Sequence, residues 1–272
     1  MPLADFTPVS AAVPNPIAQT PADSPKNSDH TKKNDRSYCK TRTVVLLLIT
    51  MADQTPESRP PSRGDDTRRE ILEVAVDLAS SDGLEGLSIG GLAEQLGMSK
   101  SGVFAHFGSK EGLQLAAVDH AGRMFTDDVV DGLDRIDGGL ERLAAMLERW
   151  AAHIESGAFG GGCFFAAASA EFDDRHGRVR DRLRKLTASW LEAIADELAE
   201  ARKLGQLDAD SDGDQMAFEL HAFIQEANWS FQLHDDRRAF ERARRAIATR
   251  LGSAATADGR ALLDRHWRAS KP

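Results

Sequence analysis

From Ser62 to Lys271 the chain carries no proline, and its apolar residues recur every three to four positions. That spacing keeps one stripe of each segment apolar, as in helices that bury one face. The first segment predicts a helix over Thr67 to Ser81, with Ile71, Leu72, Ala75, Leu78 and Ala79 on one side and Gly83 as its terminator. Two short helices follow, and a fourth runs from Lys110 to about Gly132. A fifth covers Leu140 to Ile154 and a break follows at Gly157 to Gly162. The sixth, Cys163 to Phe172, is apolar nearly all round and is expected to be buried. The seventh spans about Arg178 to Leu204, the eighth Asp214 to Leu233 and the ninth Arg237 to Leu251, and residues 253–272 read as a tail or a short helix.

The two short helices lie in Leu87 to Lys110 and are the most informative stretch. Ile89, Leu92, Ala93 and Leu96 form an apolar face, and Ser88 precedes them as a cap. Gly97 supplies the positive φ of a tight turn, and Ser99 caps a second helix holding Gly102, Val103, Phe104 and Phe107. Small Ala93 four residues before the turn glycine, and β-branched Val103 six after it, suit two helices crossing at about 90–120°. The outer face of the second helix offers Lys100, Ser101 and His106, and nothing acidic lies between Ser99 and Lys110. The pattern is that of a helix-turn-helix whose second helix enters DNA; an ordinary helical hairpin is the alternative.

Thr67 to Val118 resembles the DNA-binding domain of the TetR family of transcriptional regulators. The residues that carry the likeness are Ile71, Ala75, Leu78, Gly83, Leu87-Ser88, Leu92-Ala93, Leu96 to Ser101, Val103-Phe104, Phe107 and Ser109 to Leu113. The family usually has Tyr where this chain has Phe104, so a hydroxyl contact to phosphate is lost and His106 or Lys110 is left to compensate. The expected fold is all-α: an N-terminal three-helix helix-turn-helix domain, then a C-terminal helical bundle for ligand binding and dimerisation. Residues 63–112 form the first part and 113–252 the second. The residues expected at double-stranded operator DNA are Ser88, Ser99, Lys100, Ser101, Gly102, Phe104, His106 and Lys110.

Composition modifies this picture. The net charge is −9, and Arg63 to Gly112 holds five Lys/Arg against nine Asp/Glu. A DNA-binding domain is ordinarily basic, so few phosphates are neutralised here and the salt dependence of binding should be shallow. Nine of the ten prolines and none of the 22 glycines fall in residues 1–62. This polar segment reads as a disordered extension, or translation starts at Met51. A minor-groove arm at Arg59 and Arg63 is a third reading. Its apolar run, Val44 to Ile49, is far short of the ~20 residues that span a bilayer. The two cysteines, Cys39 and Cys163, form no disulfide framework or metal spacing, which fits a cytoplasmic protein.

No catalytic constellation or cofactor motif appears, and His153, His176 and His221 lack ligand spacing. Asp208, Asp210, Asp212, Gly213 and Glu219 match the spacing of a calcium loop, but Gln215 stands where an aliphatic residue is wanted and there is no second copy. A polar inter-helix connection with helix-capping acids is the simpler reading. A helical enzyme with an accessory DNA head and a calcium-responsive regulator are the alternative functions.

The resemblance implies a pocket for a small-molecule effector, enclosed by the sixth helix and its neighbours. Its expected wall is Phe125, Trp150, Phe164, Ser169, Phe172, Trp190 and Trp229; ordinary core is the alternative for each. The resemblance also implies a homodimer through the last two long helices. Leu220, Phe223, Ile224, Ala227 and Phe231 form one stripe there, and Phe240, Ala243 and Ile247 another. Intramolecular core is again the alternative. The whole then reads as a one-component repressor that its effector releases from DNA.

Overall fold

The computed structural model describes residues 63–269, and the readings made of residues 1–62 lie outside them. The described residues form ten α-helices and no strand: α1 (Arg63–Asp82), α2 (Ile89–Gln95), α3 (Lys100–Phe107), α4 (Lys110–Phe125), α5 (Leu140–Glu155), α6 (Phe164–Phe172), α7 (Arg178–Lys203), α8 (Gly213–His234), α9 (Ala239–Ala254) and α10 (Ala257–Ala269).

Two apolar cores organise them. The first joins Ile71, Ala75, Leu84, Leu92, Val103, Leu113, Ala117 and Ala121 of the N-terminal helices to Phe159, Phe164, Ala168, Phe172, Val179 and Leu183. The second gathers α5, the latter part of α7, and α8 to α10 around Leu143, Leu147, Trp150, Ile194, Leu198, Leu220, Ile224, Phe240 and Leu251. The first core therefore draws in residues well beyond 112. The start of α7 and most of α6 pack with the N-terminal helices.

Two expectations change and two open readings resolve. The fourth helix does not continue evenly to Gly132. After Phe125 it widens into a π turn at Thr126–Val130, where Asp131 N–H donates to the carbonyl of Thr126, five residues back. Helix α6 is not buried all round: Phe164, Ala168 and Phe172 face inward while Ala170 is exposed. Ala257–Ala269 take the short-helix alternative to a tail. Thr256 Oγ1 accepts from Gly259 N–H at 3.2 Å to cap α10, whose Leu263 is buried in the second core. The acidic connection is a cap, not a cation loop. Asp212 Oδ1 accepts from Gln215 N–H at 3.0 Å, and Glu219 lies inside α8, paired with Arg250 of α9.

The stripes read as a dimer face, with intramolecular core as the alternative, are covered within the single chain. Leu220, Ile224, Ala227, Phe240, Ala243 and Ile247 are all buried within this single chain, because the apolar sides of α8 and α9 meet each other and α5. Phe223 and Phe231 are partly buried against the same core.

Candidate functional site

Three serines begin the helices of the N-terminal head. The Oγ atoms of Ser88, Ser99 and Ser109 accept from the backbone N–H of Gly91, Gly102 and Gly112 at 3.1, 3.1 and 2.9 Å. Each satisfies one of the donors that a helix start leaves open. Between α2 and α3 the chain reverses at Gly97, whose φ of 63° is strained for any residue with a side chain. Ala93 and Val103 are buried in the common core, which sets how closely the two helices cross.

This leaves one side of α3 outward. Lys100, Ser101 and Phe104 are exposed, Phe104 by 53%, and Gly102 and His106 are half-buried. Lys100 forms no ion pair among the described residues, whereas Lys110 is paired with Glu85 at 3.0 Å. The hydrogen bond from Lys110 is the main reason the Glu85 carboxyl titrates below its ordinary range. A phosphate would have to compete with that carboxylate for Lys110. Arg68 holds the far end of α3, donating to the His106 carbonyl at 2.7 Å and lying over the Phe107 ring.

An aromatic-lined cavity lies among α4 to α8, with an empty volume of about 600 Å³, part of it open to solvent. Its wall is Gly122, Phe125, Thr126, Trp150, Cys163, Phe165, Leu186, Thr187, Ser189, Trp190, His221 and Gln225. Edge-to-face contacts build the aromatic part: Phe125 to Trp190 with centroids 4.9 Å apart, and Trp150 to Trp190 at 5.5 Å. The hydroxyls of Thr126, Thr187 and Ser189 donate back to carbonyls of their own helices, Gly122, Leu183 and Lys185. Trp190 Nε1 and Gln225 Oε1 are buried without partners. Such an orphan costs roughly 1–3 kcal/mol, so the folded chain carries a penalty here. Burial raises the Cys163 thiol above its ordinary value, so the thiolate is disfavoured at neutral pH.

Two connections join cavity and head. Helix α4 places Leu113, Ala117 and Ala121 in the head's core and Gly122 and Phe125 on the cavity wall. The loop before α6 makes the second: Gly161 N–H donates to Ser80 Oγ at 3.2 Å, and a Cβ on Gly161 would stand 1.7 Å from the Ser80 carbonyl oxygen. Only glycine fits that approach. Two residues on, Cys163 is on the cavity wall, its N–H donating to Asn228 Oδ1 at 3.0 Å.

Family models match both parts of this arrangement. Residues 71–117 match that of bacterial regulatory proteins of the tetR family, and residues 139–247 that of the tetracyclin repressor-like C-terminal domain. The chain belongs to the TetR family of transcriptional regulators. It is a DNA-binding regulator carrying the family's helix-turn-helix. No curated protein matches it significantly.

Solved TetR structures share the fold over nearly their whole length. A TetR transcriptional regulator from Chloroflexus aurantiacus J-10-FL is 25% identical, with a TM-score of 0.66 over 71% of this chain and 98% of that one. A TetR-family regulator from Cytophaga hutchinsonii is 19% identical, with a TM-score of 0.64 over 73% and 99%. AibR, solved in complex with isovaleryl coenzyme A and operator DNA, is 22% identical, with a TM-score of 0.56 over 69% and 97%. Among the described residues no helix is long and apolar enough to cross a membrane.

Of the wall expected from sequence, the structure brings Phe125, Trp150 and Trp190 together at the cavity. It places Phe164 and Phe172 in the first core, and Ser169 is not on the cavity wall. Trp229 points outward, 52% exposed. The polar wall residues of α8 were missed. His221 and Gln225, four apart beside the apolar stripe of Leu220 and Ile224, were the available signal.

Burial holds the imidazoles of His120, His153 and His221 below their ordinary value of about 6.5. In the unfolded chain they take up protons that the folded chain refuses. Their contribution to stability is therefore fully present above about pH 6.5 and is lost as pH falls toward the depressed values. Urea denaturation should show a lower midpoint at about pH 5 than at pH 7. A His153→Gln/His221→Gln variant should show a smaller drop; an undiminished drop would place the effect on other groups.

Proposed function

We propose that this TetR-family regulator is a homodimeric one-component repressor, released from its operator by a small molecule bound in the aromatic cavity. The observation that carries the reading is α4, a single helix that belongs to the head's core at one end and to the cavity wall at the other. A ligand that binds better to the arrangement unfit for DNA shifts the population toward it, and α4 is the element both ends can bias.

The exposed side of α8 is the proposed dimer face, in place of the buried stripe. Phe218, Ala222, Trp229 and Leu233 follow one another at helical spacing, and Phe218, Trp229 and Leu233 are 67%, 52% and 61% exposed. Glu226 on α8 and Arg245 on α9 are also exposed, so these two helices offer both charges to a copy of themselves. A helix-turn-helix needs such pairing to read two half-sites about one turn of DNA apart.

Selection of bound duplexes from a random pool tests the reading. The expected product is an inverted repeat with half-sites about one helical turn apart; enrichment of no sequence would overturn it. On that operator, Lys100→Ala should cost ~1–3 kcal/mol if its ammonium reads a base edge. Unchanged affinity by fluorescence anisotropy would remove Lys100 from the interface.

A further inference from the structure

We propose that the cavity selects a small uncharged ring compound bearing one polar group that accepts a hydrogen bond from Trp190 Nε1 and exchanges one with the Gln225 amide. The inference rests on the reading of the cavity as a ligand site and adds the chemistry of what fills it.

Three observations carry it. None of the twelve wall residues is Asp, Glu, Lys or Arg, so an ion entering this space would lose its hydration without gaining a counter-charge. The rings of Phe125, Trp150 and Trp190 stand edge to face around it, surfaces suited to another ring. The wall hydroxyls already donate to their own helices, while Trp190, only 7% exposed, has a donor without an acceptor, and Gln225 has a buried amide oxygen without a donor. A glutamine amide supplies a donor and an acceptor whichever way it is turned, so the demand for one polar group on the ligand does not depend on its orientation. His221, its ring tilted against Trp150 with centroids 5.2 Å apart and its pKa lowered by burial, adds no charge near neutral pH.

Calorimetric titration of the full chain with 4-methylphenol, toluene and benzoate near neutral pH tests these demands separately. 4-Methylphenol is expected to bind most tightly. Toluene should bind about tenfold more weakly, because it satisfies neither polar group. Benzoate should bind at least about 100-fold more weakly, because its carboxylate enters without a cation. Trp190→Phe should weaken 4-methylphenol severalfold and leave toluene within about twofold; Gln225→Met should do the same, and serves if the tryptophan variant does not fold. Benzoate within about tenfold of 4-methylphenol would overturn the inference. So would equal weakening of both ring compounds by either variant, or binding of none of the three. Binding in the expected order without release of operator DNA would leave the cavity chemistry standing and overturn its role as the effector site.

Discussion

Trp229→Glu/Leu233→Glu is expected to convert the proposed dimer to a monomer and to lower operator affinity by roughly 10²–10⁴-fold, the gain that linking two binding modules supplies. Both side chains lie on the outer side of α8, at 52% and 61% exposure, so the change adds charge to solvent-facing positions and leaves the cores intact. Placed in a dimer interface, the same carboxylates would be buried opposite their own copies. Like charges brought together without a counter-ion oppose association strongly. The melting temperature of the isolated protomer should change little, which separates loss of pairing from loss of fold. Sedimentation velocity and an operator titration are the measurements. A variant that remains dimeric would show that pairing uses another surface.

Glu197→Ala is expected to destabilise the protomer by about 3–5 kcal/mol, the cost of stranding a buried charge. The side chains of Arg142 on α5 and Glu197 on α7 are 10% and 2% exposed, and their Nη1 and Oε1 are 2.9 Å apart. The guanidinium also donates to the carbonyls of Leu133 and Ile136, and Glu197 Oε2 accepts from Gly139 N–H at 2.8 Å. The pair therefore pins the turn between α4 and α5, the segment that follows the cavity wall. Removing the carboxylate breaks this ion pair while Arg142 stays buried, still donating to the carbonyls of Leu133 and Ile136. Arg142→Met/Glu197→Leu removes both charges and should cost less than the single change, because neither member of the buried pair is left behind. Urea midpoints for the single and double variants measure both quantities. A cost below about 1 kcal/mol for Glu197→Ala would show that water reaches the arginine.

The head was the most legible part of the chain, because its instructions are local. Serine caps, a turn glycine and apolar residues three and four apart act within a few residues of one another. Ser88, Ser99, Gly97 and Val103 stand in the structure where those rules put them. Helix order followed from the same periodicity, and the boundaries moved by only a few residues except around Thr126. The acidic connection shows the limit of a spacing rule. Asp208 to Glu219 match a calcium loop by count, yet Asp212 caps α8 and Glu219 is turned to Arg250, 31 residues away.

By itself, then, the sequence determined the all-helical architecture, the helix-turn-helix and the outward side of its second helix. Each depends on hydrogen bonds and burial between near neighbours in the chain. Tertiary structure alone decided which apolar stripes are core and which are surface. Periodicity says that a helix has an apolar side, not what covers it. Leu220 and Trp229 look alike on that criterion, and packing of α8 against α5 and α9 buries the first and leaves the second in solvent. The cavity belongs to the same class. Phe125, Trp150, Trp190 and Gln225 come from four helices and meet because α4, α5, α7 and α8 stop short of filling the space between them. The unpartnered donor and acceptor on its wall exist only in that arrangement.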